Sequence, residues 1–375
     1  MQHQRISYPS LDGMRALCFL VIFFFHGFHT ERPELRSAPI RQFIKVDLFG
    51  NGILGVNVFF VLSGFLITFL LMEERVLRGR IDVPRFWLRR ILRIWPLYYA
   101  CVLFGFVLFP MFKSAMGQVA QEGAQLSYYL FFTSNFDLLL HGLPDASSLA
   151  VLWSIAVEEQ FYLFWPVLIT LVGQRSYPWL FAFIIVMSLF FRWSNPDVDS
   201  NEVHTLSCIG DMAMGAFGAL LVRSEKGVRW IRARTRTQVL LLYSTFGLMF
   251  LFRQKLVDAD GLLRVIERSL IAVLAMGIIV HQTHGVKRFS DLGRWPVLNY
   301  LGRISYGLYC LHMIGILVAI QILARTGSDT QLWQVMLLQP ALAFLLTVMM
   351  AALSHRFLER PFLKLKDRFA FIHRT

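Results

Sequence analysis

Residues 53–72 read ILGVNVFFVLSGFLITFLLM. These twenty residues hold no charged side chain, and as a helix they extend ~30 Å, the depth of a bilayer's hydrocarbon core. Ser63 and Gly64 stand mid-stretch, where small residues let neighbouring helices approach closely. Outward from this run the pattern repeats. Spanning candidates are centred in 14–28, 53–72, 94–112, 151–172, 179–193, 205–223, 238–252, 269–283, 304–324 and 333–354. The first is short and must borrow residues at both ends. An eleventh apolar stretch, 126–140, is interrupted by Ser134, Asn135 and Asp137 and reads as re-entrant or interfacial. The expected fold class is therefore all-α, a polytopic transmembrane helical bundle of about ten spans forming one domain over residues 1–375.

Composition agrees. Of 375 residues 56% are hydrophobic, above the 45–50% of soluble domains, and 35 are Phe. Mean hydropathy is +0.55. A soluble core cannot hide that much apolar surface. The net charge of +13 could suggest nucleic acid, but the basic residues sit between apolar runs, so no nucleic-acid partner is expected and contact with membrane lipids is. Cys18, Cys101, Cys208 and Cys310 all fall inside apolar runs, without disulfide or metal-ligand spacing. No cleavable signal peptide is evident, so the first run reads as a retained helix.

The loops set orientation. With ten spans and a cytoplasmic N-terminus, Lys and Arg divide 24 inside to 10 outside. Basic residues resist translocation, so both termini are expected in the cytoplasm of a cell membrane. An eleventh span would invert the later loops and erase the bias. Neither an internal repeat nor a low-complexity tract is present.

Ionisable groups inside spans are costly and need a reason. His26 lies near the outer end of the first run, with Arg15 ~16 Å before it along the axis. Imidazole suits proton abstraction from an alcohol near neutral pH; a structural His bonded between helices is the other reading. Glu158 and Glu159 are neighbours ~100° apart on a helix, so they face different ways. One could fix and activate His26, or both could simply bond helices together. Arg85, Arg89, Arg90 and Arg93 precede the third span. Converging guanidinium groups suit phosphates, and they also suit the positive-inside rule and lipid headgroups. Ser305, Tyr306 and His312 lie in the inner half of a late span.

Six segments occur in the order and spacing of the acyltransferase 3 family, which the chain resembles from about residue 10 to 362: LDGMRALCFLVIFFFH, GVNVFFVLSGFLI, RRILRIWPLYY, LWSIAVEEQFY, YLGRISYGLYCLH and FLERPF. The resemblance implies an integral membrane O-acyltransferase. Its co-substrate would be acyl-CoA, commonly acetyl-CoA, with no permanently bound cofactor and no metal. Its acceptor would be a hydroxyl of a carbohydrate such as a polysaccharide, lipid-linked glycan or glycolipid, in a bacterial inner membrane. The family's Arg–ten residues–His pattern falls on Arg15 and His26, its arginine motif on Arg90 and Arg93, its acidic motif on Glu158. Many members have Asp where this chain has Asn57. Some carry a fused extracytoplasmic esterase-like domain; a chain without one is expected to finish transfer within the membrane or through a separate partner.

The expected roles are then His26 as general base oriented by Glu158, with Arg15, Arg90 and Arg93 holding the phosphates of acyl-CoA from the cytoplasmic side. An acyl-His intermediate is the variant. Further candidates are Asp12, Asn57, Ser63, Glu159, Tyr162, Ser305, Tyr306 and His312. A transporter or flippase of a lipid-linked sugar or other anion is the alternative reading of the same intramembrane charges.

Overall fold

The computed structural model describes residues 8–257, 261–286 and 291–369, with side chains for all of these but 254–257. Among the described residues the regular structure is entirely helical. Each apolar run is a long helix: α1 (Pro9–His26), α2 (Ile53–Arg78), α3 (Val83–Leu103), α4 (Trp153–Leu171), α5 (Tyr177–Ser194), α6 (Thr205–Arg223), α7 (Arg236–Val257), α8 (Leu262–His284), α9 (Ser305–Arg325) and α10 (Gln339–Ser354). A short amphipathic α11 (Arg360–Asp367) follows.

Boundaries follow local chemistry. Pro9 and Pro84 stand in the first turns of α1 and α3, where a missing N–H costs nothing. The Asp82 carboxylate accepts the Arg85 N–H at 3.2 Å and caps α3. Gly79, at φ +74°, ends α2 in the left-handed conformation that favours glycine.

Seven helical segments among the described residues are long and apolar enough to cross a membrane; they contain α1, α2, α3, α5, α6, α9 and α10. The expected count of about ten is thus not carried by length and apolarity alone. The remaining three are diluted by polar groups: Glu158, Glu159 and Gln160 in α4, Arg253 in α7, and Arg264, Glu267 and Arg268 in α8. Residues 126–140 fold as two pieces, Leu126–Leu130 and Ser134–His141, broken where Phe132 takes φ +54°. The longer piece reaches only ~12 Å, too short to span. Its polar residues are buried rather than exposed: Asn135 donates to Val203 O at 3.3 Å, and Asp137 binds His141 at 2.8 Å.

The bundle is centred on α2 and α6. Gly64 lies against the backbone of Met212, and Gly215 against that of Val61, so a Cβ at either would collide with main chain. Of the Ser63-Gly64 pair, Gly64 therefore does serve close helix approach. The two helices run parallel, and Arg223 of α6 meets Glu73 of α2 at 2.6 Å at one end. Further from that end, beside Met212, α6 carries Asp211, which binds Arg268 of α8 at 2.9 Å, both nearly fully buried. Arg253 joins this cluster through Glu267 at 3.2 Å and Glu202 at 2.9 Å. A second, smaller core packs α1 against α9 and α10 through Phe19, Phe23, Leu308 and Ala343. His312 lies in the seam between the two cores, against Phe19 of one and Tyr309 of the other, with His26 beside it.

Candidate functional site

A cavity of about 210 Å³ opens between α1, α2, α3, α4, α9 and α11. Its basic lining is Arg15, Arg89, Arg90, Arg93 and Lys366. These groups gather at the end of the bundle marked by Glu73 and Glu74. Arg89 is held by Glu74 at 2.9 Å and donates to Phe369 O at 3.1 Å. Arg15 is held by Asp12 at 3.2 Å. Arg90 and Arg93, by contrast, have no carboxylate partner among the described residues. Arg90 lies over the rings of Tyr162 and Phe86, 5.3 Å from each centroid, with its Nε buried and unbonded. Arg85 is turned away, half-exposed and paired with Asp82.

Deeper in, Ser154, Glu158 and Tyr162 repeat at four-residue spacing and so share one face of α4. Glu158 accepts from the Ser63 hydroxyl at 2.6 Å and from the Tyr162 hydroxyl at 3.1 Å. Glu159 faces elsewhere, as adjacent helix positions must, and accepts from Trp95 Nε1 at 2.9 Å. From α9, Ser305, Tyr306 and Tyr309 line the same space. Tyr306 donates to Ile94 O at 2.7 Å. The Tyr309 hydroxyl donates to Val151 O at 3.0 Å and meets Ser154 Oγ at 2.6 Å, closing the deep end together with Phe59.

Beyond Tyr309 lies a pair of histidines that the cavity itself does not reach. The His26 and His312 rings are 5.2 Å apart between centroids. Tyr309 is 5.8 Å from His312 on the cavity side. His312 is wholly buried, and its Nδ1 is 2.6 Å from Tyr309 O. The carbonyl can only accept, so Nδ1 carries the proton and Nε2 presents a lone pair. That Nε2 has no partner among the described residues.

One expected pairing is corrected here. Glu158 does not orient His26; it bonds Ser63 and Tyr162. The cause is depth. Gly52 packs against Phe25, which sets His26 beside the start of α2. Ser63, the partner of Glu158, is eleven residues further along, or ~16 Å. Asn57 does not line the cavity, and its buried amide has no hydrogen-bond partner among the described residues. Asp12 pairs with Arg15.

Sequence reasoning missed Ser154, Tyr309, Lys366 and Glu74. The four-residue spacing to Glu158 marks Ser154, and the three-residue spacing to His312 marks Tyr309. Lys366 belongs to a basic tail readable as topology alone, and only the docking of α11 on α3 brings it to the cavity.

Comparison with known proteins adds the following. The family model described as "Acyltransferase domain" matches residues 8–355. The chain is similar to the peptidoglycan O-acetyltransferase OatA of Listeria monocytogenes, at 26% identity over 97% of this chain and 57% of that protein. It is similar to the putative peptidoglycan O-acetyltransferase YrhL of Bacillus subtilis, at 26% over 100% and 58%. It is also similar to the O-acetyltransferase OatA of Staphylococcus aureus, at 25% over 95% and 57%. The chain spans a little over half the length of these curated relatives. No solved structure matches it.

Proposed function

The chain belongs to the family of that acyltransferase domain, and from this membership we propose that it transfers an acyl group, acetyl above all, from acyl-CoA to a hydroxyl of a cell-surface carbohydrate. The observation that carries the reading is the cavity: arginines without carboxylate partners at its mouth, a polar middle, and a histidine pair beyond its deep end.

Coenzyme A brings phosphates on a long, flexible amide-bearing arm that ends in a thioester. Arg90 and Arg93 hold the phosphates, since their guanidinium forks are not already committed to carboxylates. Arg15, Arg89 and Lys366 add to the positive field. Ser63, Tyr162 and Ser305 supply hydroxyls along the path of the arm. Glu158, fixed by Ser63 and Tyr162, shapes this channel and offsets the arginines. The thioester arrives beneath Tyr309. His26 takes the proton from the acceptor hydroxyl. The acceptor class follows the names of the relatives, which are peptidoglycan O-acetyltransferases. The protein then sits in a bacterial cell membrane with its basic face and both termini in the cytoplasm, surrounded by lipid.

The test is reconstitution in proteoliposomes with acetyl-labelled acetyl-CoA and a peptidoglycan-derived oligosaccharide. Alkali-labile label is expected on the sugar. Label that crosses the membrane without ester formation would instead indicate transport.

A further inference from the structure

Resting on the donor-and-acceptor reading above, we propose that His312 is a second catalytic residue: the nucleophile that receives the acyl group from the thioester before the acceptor hydroxyl takes it.

Three observations converge on it. First, Ser305, Tyr309 and His312 follow one another at spacings of four and three, so one face of α9 leads from the cavity toward the histidine pair. Second, the tautomer is set. Nδ1 is committed to Tyr309 O at 2.6 Å, and Nε2 is left as a buried lone pair without a partner among the described residues. A buried polar atom left unpaired is costly and calls for a reason. A desolvated imidazole nitrogen is a good nucleophile. Third, position matters. His312 is in ring contact with Tyr309 at the cavity's end on one side and with His26 on the other. An acyl group leaving the cavity for a hydroxyl at His26 meets His312 on the way.

The chemistry balances. The Nε2 lone pair adds to the thioester carbonyl carbon. The tetrahedral adduct collapses with cleavage of the C–S bond, and coenzyme A departs as the thiolate. The product is an N-acylimidazolium that keeps its Nδ1 proton on Tyr309 O. The acceptor oxygen then adds to the acyl carbon while its proton passes to His26. The C–N bond breaks and its electron pair returns to Nε2. His26 gives up its proton, which matches the one taken by the thiolate, so thioester and alcohol become ester and thiol.

Isotope exchange tests this. With acetyl-CoA and labelled coenzyme A but no acceptor, a half-reaction through His312 moves label into acetyl-CoA; direct transfer to the hydroxyl does not. Wild-type protein and His26→Ala are both expected to exchange, while only wild type acetylates an acceptor. His312→Gln is expected to lose exchange and transfer by at least a hundredfold. Wild-type protein that acetylates sugar without exchange would overturn the proposal, as would exchange that persists in His312→Gln. Either result leaves the acyltransferase reading standing, whereas absence of transfer from acetyl-CoA in wild type defeats the reading itself. If His312→Gln does not fold, loss of exchange in a folded His26→Ala protein still overturns the proposal, because the acyl group would then ride on His26.

Discussion

His26 ends α1 and is the proposed proton acceptor, so its removal tests the chemistry most locally. His26→Ala should lower acetyl transfer by ~10²–10⁴-fold, the usual contribution of a general base, with insertion and expression unchanged. Turnover at the wild-type rate in a well-folded variant would remove His26 from the mechanism. Arg90 and Arg93 differ from Arg15 and Arg89 in having no carboxylate partner among the described residues. Arg90→Ala or Arg93→Ala should therefore raise the apparent KM for acetyl-CoA about ten- to a hundredfold, since a charge-assisted hydrogen bond contributes roughly 1.5–3 kcal/mol. Arg→Lys should restore only part of it, because an ammonium cannot reproduce the fork. Steady-state kinetics varying acetyl-CoA checks this. Unchanged binding of coenzyme A would leave the cluster a topological signal only. Charged groups such as these were legible in the sequence because they stand out in apolar runs. Tyr309 and Ser154 were not, since hydroxyl-bearing side chains are common in such helices. The Glu158–His26 pairing failed for a different reason. Sequence gives no relative depth for α1 and α4; that depth is set through α2, at whose start Gly52 rests on Phe25 and in whose middle Ser63 bonds Glu158.

Among elements, existence was far easier to read than crossing. Each of the ten long helices lies on an apolar run, yet α4, α7 and α8 do not qualify as spans by apolarity. Their polar residues are met by partners on other helices, which no hydropathy window can register. The bond between Asp211 of α6 and Arg268 of α8 is one such case, with each side chain almost entirely buried. Arg268→Met should destabilise the folded protein by ~3–5 kcal/mol, because an unpaired carboxylate is left inside the bundle. The double variant Asp211→Leu with Arg268→Met should recover most of that loss. Unfolding in detergent micelles followed by circular dichroism measures both. Equal destabilisation by the single and double variants would show that the pair does not tie α6 to α8. The same cluster bears on orientation. Arg253 and Arg268 count among the basic residues of an outer loop, but both are buried in ion pairs. Neither is a free loop charge, and the same holds on the opposite face for Arg89, paired with Glu74, and Arg223, paired with Glu73.

At the scale of the whole molecule, the arginine mouth lies at one end of the bundle, and the ionic cluster that Asp211 joins extends from mid-depth toward the other. The parallel α2 and α6 fix this, with Glu73 and Arg223 at one end and Asp211 toward the other. The cavity runs from the first end inward to Tyr309, and His26 lies ~16 Å beyond the level of Ser63 along α2. On the proposed reading, donor and acceptor are drawn to the same histidines from different faces of a ~30 Å hydrocarbon core. Sealed vesicles of known orientation test that directly. Acetyl-CoA is supplied only on the face bearing the termini, and a membrane-impermeant carbohydrate acceptor on one face at a time. Ester is expected with the acceptor on the opposite face and not with donor and acceptor together on the arginine face. Product formed only when both share the arginine face would contradict transfer across the membrane.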